Sequence, residues 1–240
     1  MQWLRSTIFT ALFLLWTFFY GVFLFFACLV LPFRVRFVLV RVWARVLLVS
    51  LRVICGLDYR VVGRENLPAG AHVALWKHAS SWETFAMAVV CPRQVWVLKR
   101  ELMWVPFVGW VMPLIHAIAI DRGSAHAAVR QVIQSGLRRL AQGDWVMIFP
   151  EGTRMPPGQT RRYGVSGALL ASRAGCLVVP IAHDSGYYWP RRGLLKKPGT
   201  ITVVIGKPIV ARGRDPRQVN EEAQRWVEET IQELRRGESA

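Results

Sequence analysis

A histidine and a glutamate stand five residues apart in Lys77-His78-Ala79-Ser80-Ser81-Trp82-Glu83. An imidazole beside a carboxylate can take a proton from a hydroxyl while the carboxylate holds the ring and offsets its charge. On a straight helix, two residues five apart would point about 140° away from each other, but across a turn they can meet. The spacing Ser80-x-x-Glu83 is also a capping box, which starts a helix there, so a capping role alone is the competing reading of Glu83. The pair has no nucleophile of its own, so the hydroxyl it activates would belong to the substrate.

A second group is Phe149-Pro150-Glu151-Gly152-Thr153-Arg154, directly after an apolar run. Glycine, a hydroxyl, backbone N–H groups and arginine in an exposed loop suit a phosphate, against an ordinary turn with a solvated arginine. Lys99-Arg100-Glu101-Leu102 leads through Pro106 and Gly109 to Asp121-Arg122-Gly123, and Val178–His183 carries Pro180, expected to break a buried strand near its end. The five histidines (His72, His78, His116, His126, His183) show no metal-ligand spacing, so no metal is expected. The cysteines (Cys28, Cys55, Cys91, Cys176) form no C-x-x-C pair, which argues against a disulfide framework and suits a reducing compartment.

Strands are expected at Tyr59–Val62, Val73–Trp76, Val95–Leu98, Ala117–Asp121, Trp145–Phe149, Leu177–Ala182 and Ile201–Ile205. Ser124 can cap a helix running to Gln142, with Ala125, Val129, Val132, Ile133, Leu137 and Leu140 on one face and Gly143 as its stop. Asp215-Pro216 opens a last helix over 215–236, with Val219, Ala223, Trp226, Val227, Ile231 and Leu234 as its buried stripe. Strands alternating with helices imply an α/β fold, a mostly parallel sheet covered by helices, with its site in the loops beyond the strands' carboxyl ends.

Residues 56–240 read as that one domain, and residues 1–55 as an N-terminal two-helix membrane anchor. No charge interrupts Ser6 to Phe33, a run that as a helix over 6–33 would measure roughly 42 Å against a hydrocarbon core of about 30 Å. The run is long for the apolar region of a signal peptide, and no A-x-A site follows it. In the next segment, 34–55, Arg34, Arg41, Arg45 and Arg52 share one narrow stripe with apolar residues around them. That pattern describes an amphipathic helix in the headgroup region, its arginines toward phosphates and the remainder in acyl chain. A second spanning helix is the costlier alternative. The positive-inside rule puts these arginines on the cytoplasmic face of the inner membrane. A spanning first helix would put Met1 across the membrane, and a re-entrant hairpin would keep both ends on one side.

Lys and Arg number 31 against 15 Asp and Glu, a net charge of +16 that attracts phosphates and acidic partners. Apolar residues at 53% exclude a disordered chain. Tyr187-Tyr188-Trp189-Pro190-Arg191-Arg192 and the Leu194-Leu195-Lys196-Lys197 that follows Gly193 suit a membrane surface or an acidic carrier protein. A plain solvated basic loop and a nucleic-acid surface compete. With an apolar anchor in the same chain, membrane lipids are the expected partner and nucleic acid is not.

Taken in order, these blocks resemble the 1-acylglycerol-3-phosphate acyltransferases of phospholipid synthesis. The matching residues are His78 and Glu83; then Lys99, Glu101, Leu102, Pro106, Gly109, Asp121 and Arg122; then Phe149–Arg154 in full; then Val179–Ile181. The resemblance covers about residues 56–210. Lys77 stands where asparagine is commoner, Glu83 where aspartate is usual, and Met155 where serine is frequent. It implies that His78 and Glu83 are catalytic, with direct transfer of a fatty acyl group and no acyl-enzyme. It implies that Lys99, Arg122, Gly152, Thr153 and Arg154 hold the phosphate of lysophosphatidic acid, while Glu151 orients Arg154 or the loop. No tightly bound cofactor is implied. The co-substrate is an acyl thioester, on coenzyme A or acyl carrier protein. Other lipid acceptors, such as an ornithine lipid, and a non-catalytic anionic-lipid or nucleic-acid binding role remain as alternatives.

Overall fold

The computed structural model describes residues 1–121 and 123–237. Two long N-terminal helices, α1 (Gln2–Val30) and α2 (Phe33–Cys55), precede the strands. The first starts earlier than the uncharged run and ends sooner, because Pro32 forces Leu31 into an extended conformation (φ −86°, ψ 147°). The break converts one apolar stretch into a hairpin of two helices.

The sheet contains β1 (Leu57–Val62), β2 (Val73–Trp76), β3 (Gln94–Lys99), β4 (Ile118–Ile120), β5 (Trp145–Ile148), β6 (Leu177–His183), β7 (Gly199–Ile205) and β8 (Ile209–Val210). Their order is β1-β7-β6-β2-β5-β3-β4, with β8 beside β6. All neighbours are parallel except β7 and β8, which run antiparallel to β6. The short β8 has no sequence signal beyond two β-branched residues. Pro180 lies inside β6 and does not break it, contrary to the expectation from sequence. On that side of β6 the partner changes from β8 at Leu177 and Val178 to β7 at Ile181, so no ladder bond is asked of the proline nitrogen.

Both sheet faces are covered, which is why β2 and β5 are apolar at every position. Ala74, Trp76, Trp145 and Met147 face α1, α2 and α3 (Glu83–Val90). The alternate residues Val73, Leu75, Val146 and Ile148 face α5 (Ala125–Ala141), α6 (Ser166–Ala174) and α8 (Pro216–Gly237). Ser124 caps α5 by accepting the Ala127 N–H at 3.3 Å. Val132 and Ile133 are buried as expected, while the Ala125 side chain lies outside the described residues.

The first helix is bound to the domain along much of its length. Gln2 donates to Cys55 O and Lys196 O, Phe9 is fully buried against Trp189, and Gly21 faces Val108 on α4 (Val108–Leu114), where a Cβ on the glycine would lie 3.5 Å from the valine side chain. The arginines of α2 do not all point outward. Arg34, Arg45 and Arg52 are exposed, but Arg41 donates to Ala88 O and Cys91 O, where α3 ends. Arg36 donates to Leu31 O and Leu114 O. Val40, Leu47 and Leu51 of α2 are buried in protein rather than free to enter acyl chain, while Val38, Val49 and Val53 are exposed. Likewise the basic segment after α7 (Ser185–Tyr188) is only partly solvent-facing. Lys196 is buried, donates to Ser6 O and Thr10 Oγ1, and lies over the Phe9 and Trp189 rings.

Candidate active site

The strands β6, β2 and β5 are adjacent and parallel, so the chain leaves all three at the same edge. Three loops meet there: Lys77–Trp82 after β2, Phe149–Arg154 after β5 and Asp184-Ser185 after β6. Lys77 still donates its N–H to Ile181 O, so the chain departs from the sheet only at His78.

Glu83 is the first residue of α3 and is fully buried. Its Oε1 accepts from the N–H groups of Ala79 (2.8 Å) and Ser80 (2.7 Å), as half of a capping box would. Ser80 Oγ accepts from the Trp82 N–H instead of completing the reciprocal bond. The same Glu83 oxygen lies 2.9 Å from His78 Nδ1. Capping and contact with the imidazole are therefore achieved by one atom, and the two readings of this glutamate do not exclude each other. Burial alone would raise the Glu83 pKa. The hydrogen bonds from His78 and the Ser80 N–H outweigh it and hold the carboxyl below the usual range. An ionised carboxylate only accepts, so Nδ1 carries the His78 proton and the Nε2 lone pair is left for chemistry. The ring stacks on Phe149 with centroids 4.0 Å apart and is 14% exposed, enough to meet a substrate.

Two further residues support this pair. Ser185 donates its hydroxyl to Glu83 Oε2 at 3.2 Å. The buried His183 pairs its Nε2 with Lys77 O at 2.8 Å and accepts the Ser185 N–H at Nδ1. Burial, aided by Lys77 and His78, pushes the His183 pKa down against the pull of Glu83, which keeps this ring neutral. Sequence reading quoted His183 without a role and passed over Ser185. The one available signal was that both come just after Val179–Ile181, residues of a strand that pairs with β2, which leads into the His78 loop.

In the Phe149–Arg154 loop, Gly152 has φ +70°, a conformation costly for residues with a Cβ. Arg154 donates to Ser81 Oγ at 3.0 Å, which brings its guanidinium beside the His78 loop. Glu151 does not touch Arg154. It is buried, and accepts from Lys77 Nζ (2.8 Å), the His78 N–H (3.1 Å) and Thr160 Oγ1 (3.3 Å). Burial raises its pKa against the pull of Lys77. His78, Glu83, Glu151, Gly152, Thr153 and Arg154 thus gather at one edge, with Thr153 and Arg154 half-buried. Lys99 ends β3, two strands from β2 and so roughly 10 Å along the edge, and pairs with Glu101 at 2.9 Å. It is not brought into hydrogen bonding with the other site residues, and Arg122 lies outside the described residues. Gly109 of the same block is needed for space, since a Cβ there would fall 2.4 Å from Leu102 O.

An apolar cleft of about 400 Å³ opens between α1, α2, α4 and β3, lined by Tyr20, Gly21, Leu24, Trp43, Trp96 and Met112 among others. Trp43 also meets Phe85 of α3 edge-on, with centroids 6.3 Å apart. The cleft's lining offers an aliphatic chain a place and a charged group none.

A family model described as Acyltransferase matches residues 58–184. A 1-acyl-sn-glycerol-3-phosphate acyltransferase of Pseudomonas aeruginosa is 43% identical over 238 residues, covering 98% of this chain and 93% of that protein. One of Saccharomyces cerevisiae is 28% identical, covering 77% of this chain and 62% of that protein. The solved 1-acyl-sn-glycerophosphate acyltransferase PlsC of Thermotoga maritima shares the fold, with a TM-score of 0.81 over 98% of both chains at 20% identity. The chain belongs to the acyltransferase family that includes the 1-acyl-sn-glycerol-3-phosphate acyltransferases.

Proposed function

We propose that the protein moves a fatty acyl group from a thioester to the free hydroxyl of lysophosphatidic acid, giving phosphatidic acid. The observation that carries this reading is the His78 Nδ1–Glu83 contact of 2.9 Å beside the Phe149–Arg154 loop. His78 Nε2 takes the hydroxyl proton as that oxygen attacks the thioester carbonyl. The tetrahedral intermediate collapses, the C–S bond breaks, and the imidazolium gives its proton to the leaving thiolate, which departs as a thiol and restores neutral His78. Glu83 stabilises that cation while it exists. Direct transfer is supported because, among the described residues, no serine or cysteine hydrogen-bonds the His78 ring. Arg154 and the 152–154 backbone hold the acceptor phosphate, a charge-assisted contact matched to a dianion.

The same reading places the enzyme on a membrane. The first helix is long and apolar enough to cross one. Its contacts at Gln2, Phe9 and Gly21 span about 29 Å of helix against the catalytic domain. A helix bound over that length could not cross the bilayer without drawing the domain in with it. Insertion into one leaflet from the cytoplasmic face of the inner membrane therefore fits better than spanning. The exposed residues Leu4, Ile8, Leu15, Phe19, Phe23 and Phe26 meet lipid, and Arg34, Arg45 and Arg52 meet headgroups. The apolar cleft receives an acyl chain.

Purified protein with a radiolabelled acyl thioester and a panel of acceptors tests the assignment. Product from lysophosphatidic acid alone supports it. Product only from another acceptor, such as a lyso-ornithine lipid, replaces the acceptor while keeping the chemistry. No turnover with any acceptor removes the enzymatic reading.

A further inference from the structure

Lys77 is buried in the loop that bears His78, and its three ammonium protons are all used. They go to Glu151 Oε1 at 2.8 Å, Glu228 Oε1 at 2.7 Å and Gln159 O at 2.9 Å. Glu151 in turn accepts the His78 N–H, and the Met155 N–H donates to His78 O at 2.7 Å. The backbone of the base is thereby clamped on both sides by the Phe149–Arg154 loop and its continuation.

Glu228 belongs to α8, far beyond the 58–184 match to the family model. One turn earlier on that helix, Gln224 accepts the Tyr163 N–H at 3.1 Å and donates to Thr160 Oγ1 at 3.0 Å and Arg161 O at 3.2 Å. A further turn earlier, Asn220 donates to Gly164 O at 3.0 Å. Residues 220, 224 and 228 form one polar stripe at helical spacing, beside the apolar stripe of Val219, Ala223, Val227 and Ile231. Every member of the polar stripe holds either the 159–164 segment or Lys77.

We infer that α8 is a positioning element of the active site, its Asn220–Gln224–Glu228 stripe fixing the 159–164 segment that continues the Phe149–Arg154 loop and, through Lys77 and Glu151, the His78 backbone. Lys77 is the positioning residue at the centre: one cation between two carboxylates. It holds Glu151 aimed at the His78 N–H, and it ties β2, the loop after β5 and α8 together. Without it, two carboxylates face each other in a buried place, and one must protonate or swing away. The inference rests on His78 being the base.

Lys77→Met tests it by turnover and by amide hydrogen exchange of the peptide containing residues 77–83. The expected result is a fall in kcat of about 20-fold or more, with the thioester KM within about twofold. Exchange in that peptide should speed up about fivefold while the β3 peptide is unchanged. Adding Glu228→Gln removes the surplus negative charge, so the double variant should recover about fivefold of the lost kcat, against further loss if Lys77 only fills space. Glu228→Ala serves if Lys77→Met does not fold. It should lower kcat about three- to tenfold and speed exchange in 156–164. Unchanged exchange in both variants, or a kcat per folded molecule equal to wild type, overturns the inference. If wild-type protein turns over no acceptor, the proposed function fails while the exchange measurement still decides this one.

Discussion

Glu83→Gln separates the charge of this residue from its shape. The Ala79 and Ser80 N–H groups, at 2.8 and 2.7 Å from Oε1, demand an oxygen there, so they select the amide orientation that also presents oxygen to His78 Nδ1. The Ser185 hydroxyl, which now donates to Oε2, can rotate and accept from the new amide N–H. The helix start and ring tilt are kept, and only the negative charge is lost. Imidazolium and carboxylate charge centres roughly 4 Å apart interact by about 4 kcal/mol at an effective dielectric near 20. A neutral hydrogen bond retains about 1 kcal/mol of that, leaving a loss of about 3 kcal/mol in stabilising the cation. The expected consequence is a kcat lower by roughly 150-fold with the acceptor KM little changed. Initial rates at saturating thioester and lysophosphatidic acid, with melting curves on the same samples, measure it. A kcat within about threefold of wild type in folded protein would refute the base–orienter reasoning and leave Glu83 as a cap.

Other outcomes follow from the same contacts. Arg154→Ala should cut kcat/KM for the acceptor by about 2–3 kcal/mol, roughly 30- to 150-fold, chiefly through the acceptor KM; a rise confined to the thioester KM contradicts the phosphate assignment. Phe9→Ala should destabilise the whole domain by about 3–5 kcal/mol in detergent, because this side chain is fully buried against Trp189; an unchanged melting temperature would make α1 an independent anchor. Glu83 has a folded pKa below its unfolded one. Its stabilisation is complete above the ordinary carboxylate value and is lost as pH falls through the lower folded value, so Glu83→Gln should flatten the acid side of a stability–pH curve.

Much of the fold was legible because its signals are local. The continuous apolar runs of β2 and β5, the Ser124 cap and the Asp215-Pro216 start each need only neighbouring residues. The expected strands fell within a residue or two of the observed ones. Pro180 misled because whether a proline breaks a strand depends on which neighbour faces its nitrogen, and that neighbour changes partway along β6. The arginine stripe of α2 misled similarly. Helical periodicity gives a direction, but only the packing of α3 decided that Arg41 would cap its carbonyls.

By itself the sequence determined the chemistry available: the His78–Glu83 spacing, the Phe149–Arg154 loop, the apolar first helix and the excess of positive charge. The tertiary structure alone decided which of these meet. Parallel neighbours β6, β2 and β5 end together, so Ser185, His78 and Glu151 converge from three separate stretches of the chain. Lys99, one strand further out, points to Glu101 instead. The physical reason is that a strand order costs nothing visible in local sequence, whereas hydrogen bonds of about 3 Å exist only after that order has been set.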